Sequence, residues 1–169
     1  MPNLLNLPIF SRIRRNHGLE HATLTTLAGR FPRRPLAGYS DPGGFWIVGN
    51  VETEALADAA TEALERLRKG ERSLAVHPNC GTNFAVAGLF AGVAGALAML
   101  GSGRRTRDKL ERLPLAAALA TLALIAAQPL ALMLQARVTT SGEPGDLAIT
   151  EVLCQPQGKL VIHRVSTKG

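Results

Sequence analysis

Residues 83–101, NFAVAGLFAGVAGALAMLG, carry no charged side chain, and neither do residues 113–135, LPLAAALATLALIAAQPLALMLQ. Each stretch is close to the ~20 apolar residues that cross a bilayer core. Between them lies SGRRTRDKLER, which is short, polar and basic. The pattern predicts a transmembrane hairpin of two helices and a tight loop. A pair of buried core helices is the alternative, but a chain of 169 residues holds too little else to cover two wholly apolar helices. Small residues recur every fourth position along the first span at Gly88, Gly92 and Ala96, a spacing that permits close packing within the hairpin or against a second copy. Pro129 interrupts the second span and predicts a kink with a released carbonyl near Ile125. Gln128 beside it is expected to hydrogen-bond the first helix, with a substrate path as the other reading.

The flanking segments are patterned differently. From Ser11 to about Ala28 the apolar spacing suits a helix, with Ile13, Leu24 and Leu27 among its apolar positions. GRFPRRPLAGYSDPGG, rich in proline and glycine, predicts a loop. FWIVGNV, 45–51, predicts a strand, and Thr53 is expected to cap a helix running to Lys69, with Gly70 as its stop. Leu56, Ala60, Ala63, Leu64 and Leu67 make one apolar face of that helix. SLAV, 73–76, predicts a second strand. DLAITEVLC and KLVIHRVS around QPQG predict a β-hairpin. The fold class is therefore α+β: a small mixed head of about four strands and two helices with the membrane hairpin inserted. The expected divisions are 1–82, 83–136 and 137–169.

Composition narrows the partners. The net charge is +6, and aromatic residues make up only 4% of the chain. Arg12, Arg14, Arg15, Arg104, Arg105 and Arg107 flank the apolar stretches rather than alternate with aromatics, which favours a lipid surface over nucleic acid. The basic residues do not decide orientation. Arg104, Arg105, Arg107, Lys109 and Arg112 in the loop equal in number Arg66, Arg68, Lys69, Arg72 and Arg137 outside it. The N-terminal segment lacks the order of charge and apolar run that marks a signal peptide, so both termini are expected on the cytoplasmic side. Two cysteines, Cys80 and Cys154, make no disulfide framework.

The chemistry concentrates in NHGLEH, 16–21. On a helix His17 and His21 share a face, with Glu20 near the same stripe. Two imidazoles four apart can hold one metal ion, and a neighbouring carboxylate can act as general base; this is the inverted zincin order. Two solvated or structural histidines are the plainer reading. VHPNCGTN, 76–83, adds His77 and Cys80 at a spacing of three, held by Pro78 and Gly81; a rigid entry into the first span is its plainer reading. His17, His21, His77 and Cys80 are the candidate metal ligands, zinc the expected ion, and Glu20 the candidate catalytic base. Among the other residues, Asp41 is expected to form a turn, His163 to be structural and Cys154 to be buried. Trp46 is expected in the core, with Tyr39 and Trp46 as lipid anchors the other reading.

HGLEHAT and HPNCGTNF resemble the paired HGAEHKT and HPRCGTSF segments of the YqhQ-like bacterial membrane proteins. Together with DPGGFW they also resemble a sister family of unknown function. The resemblance covers roughly positions 14–100. It implies a bacterial inner-membrane protein whose His17, Glu20, His21, His77 and Cys80 belong to one site on the cytoplasmic face. This chain has no span before the first motif, and Ala22 stands where the longer family has lysine. The expected function is a membrane-anchored, zinc-dependent hydrolase, with peptidase as its narrower reading, acting on a lipid-proximal or membrane-protein substrate. A non-catalytic membrane scaffold with a structural metal is the alternative. Self-association through the small-residue face is an expected partner interaction.

Overall fold

A computed structural model describes residue 5, residues 7–155 and residues 161–169. The chain forms two compact units, Met1–His77 with Ala136–Gly169, and Pro78–Gln135. The first is the α+β head. Its first helix, α1 (Pro8–Arg30), starts with proline in the first turn, where the missing N–H costs nothing. Strands β1 (Ala37–Asp41) and β2 (Gly44–Val48) form a hairpin, and α2 (Thr53–Arg68) follows. Later in the chain come β3 (Ala148–Cys154) and β4 (Ile162–Lys168). The four strands make one antiparallel sheet in the order β1-β2-β4-β3.

Alternation decides which face of the sheet is buried. Phe45, Ile47 and Val165 point inward and are fully buried, against Leu19 and Leu27 of α1 and Leu56, Ala60, Ala63 and Leu67 of α2. The opposite face carries the cross-strand row Tyr39, Trp46, Arg164. There the Arg164 guanidinium lies 4.8 Å from the Trp46 ring centroid and grips both Asp41 carboxylate oxygens at 2.6 and 2.8 Å. These bonds to Arg164 hold the Asp41 carboxyl below the usual carboxylate range. Trp46 is thus half-buried on the outer face and not part of the core as expected, because residues of opposite parity, Phe45 and Ile47, fill it.

Four further expectations change. Residues 37–41 form β1 rather than loop: pairing with β2 supplies ladder hydrogen bonds that the flanking Pro and Gly signals do not reveal. Asp41 makes the expected turn, accepting the Gly43 N–H at 2.7 Å. SLAV is not a strand; Arg72–Ala75 is a single 3-10 turn, and the Val76 N–H donates to the Ser73 carbonyl within it. Thr53 is the first residue of α2 rather than its cap. Cys154 is exposed, because β3 is the strand at one end of the sheet. Gly70 ends α2 with φ +94°, a value natural to glycine. The turn expected at QPQG falls largely outside the described residues.

The second unit is a hairpin of α3 (Gly81–Met99) and α4 (Thr106–Leu134). The connecting loop is shorter than expected, since α4 begins inside the basic segment, where the Asp108 carboxylate accepts the Arg105 N–H. α4 continues through Pro114 and Pro129, and the chain leaves it by a π-helical turn, Gln135–Thr139. Both helices are long and apolar enough to cross a membrane. They expose large apolar side chains such as Phe84, Leu89, Leu97, Leu122 and Ile125, unlike the core helices of a soluble protein. Gln135 Nε2 donates to Asn83 Oδ1 across the hairpin at 3.2 Å, the cross-helix bond expected of Gln128. Gln128 lines a cavity of about 400 Å³ between the helices with Asn83, Phe84, Gly88 and Leu124. The close helix contact uses Gly95, beside Ala120, while Gly88 and Gly92 meet nothing where a Cβ would stand.

Candidate metal centre

The middle of α1 is buried along much of its circumference, and this is what positions the histidines. Leu19, Ala22 and Leu27 join the core. Asn16 ties the helix to the sheet, donating to the Asp41 carbonyl at 2.8 Å and accepting the Thr167 hydroxyl at 2.7 Å. With the helix so fixed, His17 and His21 stand one turn apart with ring centroids 4.4 Å apart. One nitrogen of each ring lies within 4.8 Å of the other's. His77 joins them from the segment after the 3-10 turn, its ring 5.7 Å from that of His21.

Both imidazoles of α1 are oriented by backbone. His17 Nδ1 donates to the Thr139 carbonyl at 3.0 Å and His21 Nδ1 to the Ala75 carbonyl at 2.9 Å. With the proton on Nδ1, the ring lone pair is on Nε2. This is how metal-ligating histidines are commonly held: a carbonyl acceptor fixes tautomer and ring angle before any ion binds. His21 is 2% exposed. The ring and its carbonyl partner are therefore largely shielded from water.

Gly18, between the two histidines, permits this approach. A Cβ there would overlap the Ser141 carbonyl oxygen. Without one, the returning chain comes close enough for the Ser141 N–H to reach the Arg14 carbonyl at 2.9 Å and for Thr139 to reach His17. Glu20 lies on the side of α1 that meets β1. It is 4% exposed, takes the Ser40 hydroxyl on its carboxylate, and packs where a side chain at Gly38 would otherwise stand.

Cys80 belongs to the other unit. It is a reduced thiol at the N-cap of α3, three residues beyond His77 along the chain. Gly18, Ser40 and the carbonyls of Ala75 and Thr139 are parts of the arrangement that sequence reasoning missed. The glycine inside HGLEH was the one available signal for close approach; carbonyl acceptors leave none.

His163 lies in β4, the strand expected of it. It is fully buried, and its Nε2 bonds the Thr53 hydroxyl at 3.2 Å. Burial pushes its pKa below the ordinary 6.5, with the Glu52 charge acting in opposition.

A family model described as a domain of unknown function, DUF6391, matches residues 12–152. That range includes His17, Glu20, His21, His77, Cys80 and both apolar helices. An uncharacterized protein of Picosynechococcus sp. is 45% identical over 98 residues, which are 52% of this chain and 48% of that protein. The chain therefore spans about half the length of this relative. No solved structure matches.

Proposed function

The chain belongs to the DUF6391 family, and from that premise we propose that it is a membrane-anchored metal-binding protein acting as a zinc-dependent hydrolase. The proposed ligands are His17, His21 and Cys80, with His77 beside His21. The observation that carries the reading is the pair of Nδ1-to-carbonyl bonds, which turn two adjacent imidazoles into ligands with oriented Nε2 lone pairs. Two imidazoles and a thiolate suit zinc by ligand softness. Cys80 follows His77 by three residues, at most about 10 Å of extended chain, which supports its entry into the same set.

When bound, zinc supplies Lewis acidity that makes a water easier to deprotonate. Glu20 is the proposed base. The Ser40 hydroxyl holds its carboxylate in one orientation, and burial beside Gly38 limits its hydration. Three protein ligands leave a position open for substrate, the arrangement catalysis requires. The hairpin anchors the head, with both termini on the cytoplasmic side and a substrate close to lipid. The same histidine segments relate the chain to the YqhQ-like proteins. Gly92, where an added side chain would enter open space, supports self-association through α3.

One observation favours a structural ion instead: the Glu20 carboxylate is buried against β1, as a residue fastening α1 to the sheet would be. Glu20→Gln separates the readings. The hydrolase reading expects bound zinc retained and peptide or ester hydrolysis lost. Full activity in Glu20→Gln contradicts it.

A further inference from the structure

The head holds a polar cavity of about 510 Å³. Every residue lining it belongs to the head unit. Three segments wall it: α1 through Arg14, the 3-10 turn through Arg72 and Ser73, and the chain after the π-helical turn through Thr140, Ser141 and Glu143. Gly142 lets that last segment lie directly against the Arg72 backbone, where a Cβ would not fit.

The charges of the lining do not cancel. Arg14 is half-buried. Its Nη2 donates to the carbonyls of Arg137 and Thr140 at 3.0 and 3.1 Å, which fixes the guanidinium without neutralising it. Among the described residues no carboxylate pairs with Arg14, and its Nε–H is buried without a partner. A cation drawn out of bulk water with carbonyl partners alone is left uncompensated. Arg72 is paired with Glu143, also in the lining, at 2.7 Å. The two side chains of that pair are 69% and 68% exposed, so solvent screens it and a stronger anion displaces it readily. Two guanidiniums against one carboxylate leave the cavity positive.

We propose that this cavity binds a phosphate group. Guanidinium N–H pairs match phosphate oxygens in spacing and plane, and the Ser73 hydroxyl adds a neutral donor. Phosphate takes the place of Glu143 on Arg72, and Glu143 turns to solvent. The group belongs to an acidic lipid headgroup or to a soluble phosphate. Chain connectivity favours the headgroup. Val76 and Ala136 also line the cavity, and they stand just outside the two ends of the hairpin unit, Pro78–Gln135. On the proposed reading that the hairpin crosses a bilayer, the lining lies within a few residues of lipid-facing chain, where basic side chains meet acidic headgroups. The soluble source needs no membrane.

The test uses the full chain in neutral detergent at low ionic strength. Native mass spectrometry with equal amounts of phosphatidylglycerol and phosphatidylcholine reads the lipid source, and calorimetric titration with inorganic phosphate reads the soluble one. The expected result is retention of phosphatidylglycerol over phosphatidylcholine, with affinity lowered about tenfold in Arg72→Gln and in Arg14→Gln. Arg72 is exposed, so its variant folds even where Arg14→Gln does not. Binding of inorganic phosphate without lipid preference, weakened in Arg72→Gln, keeps the site and assigns it to a soluble phosphate. Equal retention of both lipids together with no heat from phosphate overturns the proposal. Undiminished binding in a folded Arg72→Gln chain overturns it as well.

Discussion

Gly18 is the residue on which the histidine geometry turns. Replacing it with alanine forces the 139–141 segment outward, since the new methyl and the Ser141 carbonyl cannot share one place. The expected cost is about 1–3 kcal/mol of stability, read from denaturant unfolding, together with weaker zinc binding by titration as His17 loses its acceptor. Unchanged stability contradicts the close-approach argument. His163 makes a different prediction. Its pKa is lowered by burial, so the unfolded chain binds a proton near pH 6.5 that the folded chain resists. Stability is then complete above that value and declines as the pH falls below it. The thermal midpoint should drop between pH 7.5 and 5.5 by less in His163→Asn than in the wild type; equal slopes contradict the assignment. At this scale the sequence was only partly legible. The shared helix face of His17 and His21 follows from their spacing, whereas the direction of Glu20 toward Ser40 depends on a strand that the proline and glycine pattern concealed.

At the scale of elements, the two apolar helices were legible because absence of charge over about 20 residues is a strong signal. The sheet was harder. β1 was missed and SLAV wrongly assigned, because short strands are made by their neighbours: β1 has β2 as its partner, while 72–75 closes on itself. Trp46 and Cys154 were misplaced for related reasons, one by strand parity and the other by the end position of β3. The exposed surface of α4 gives a direct test of the membrane reading. Leu122 is 62% exposed. Leu122→Arg should reduce membrane insertion, at a cost of about 2.5–3.5 kcal/mol near the helix centre, seen as release into the soluble or aggregated fraction on carbonate extraction. Undisturbed insertion contradicts a lipid-facing Leu122. On α3, Gly92→Ile should lower self-association in detergent crosslinking, because a side chain there enters open space. An unaltered crosslinked fraction contradicts the open-face reading.

For the whole molecule, the head is assembled from chain on both sides of the hairpin, with β3 and β4 joining the sheet after it. The apolar hairpin and the histidine cluster are thereby built into one continuous chain: α1 and the 75–77 segment supply imidazoles, and α3 opens at Cys80. The account stands on a metal ion at that cluster. The decisive measurement is elemental analysis of the purified full chain in detergent, before and after chelation, beside His17→Ala with His21→Ala and Cys80→Ser. About one zinc per chain, removable by chelator and absent from both variants, is the expected result. A folded wild-type chain without stoichiometric metal, after incubation with zinc, contradicts it.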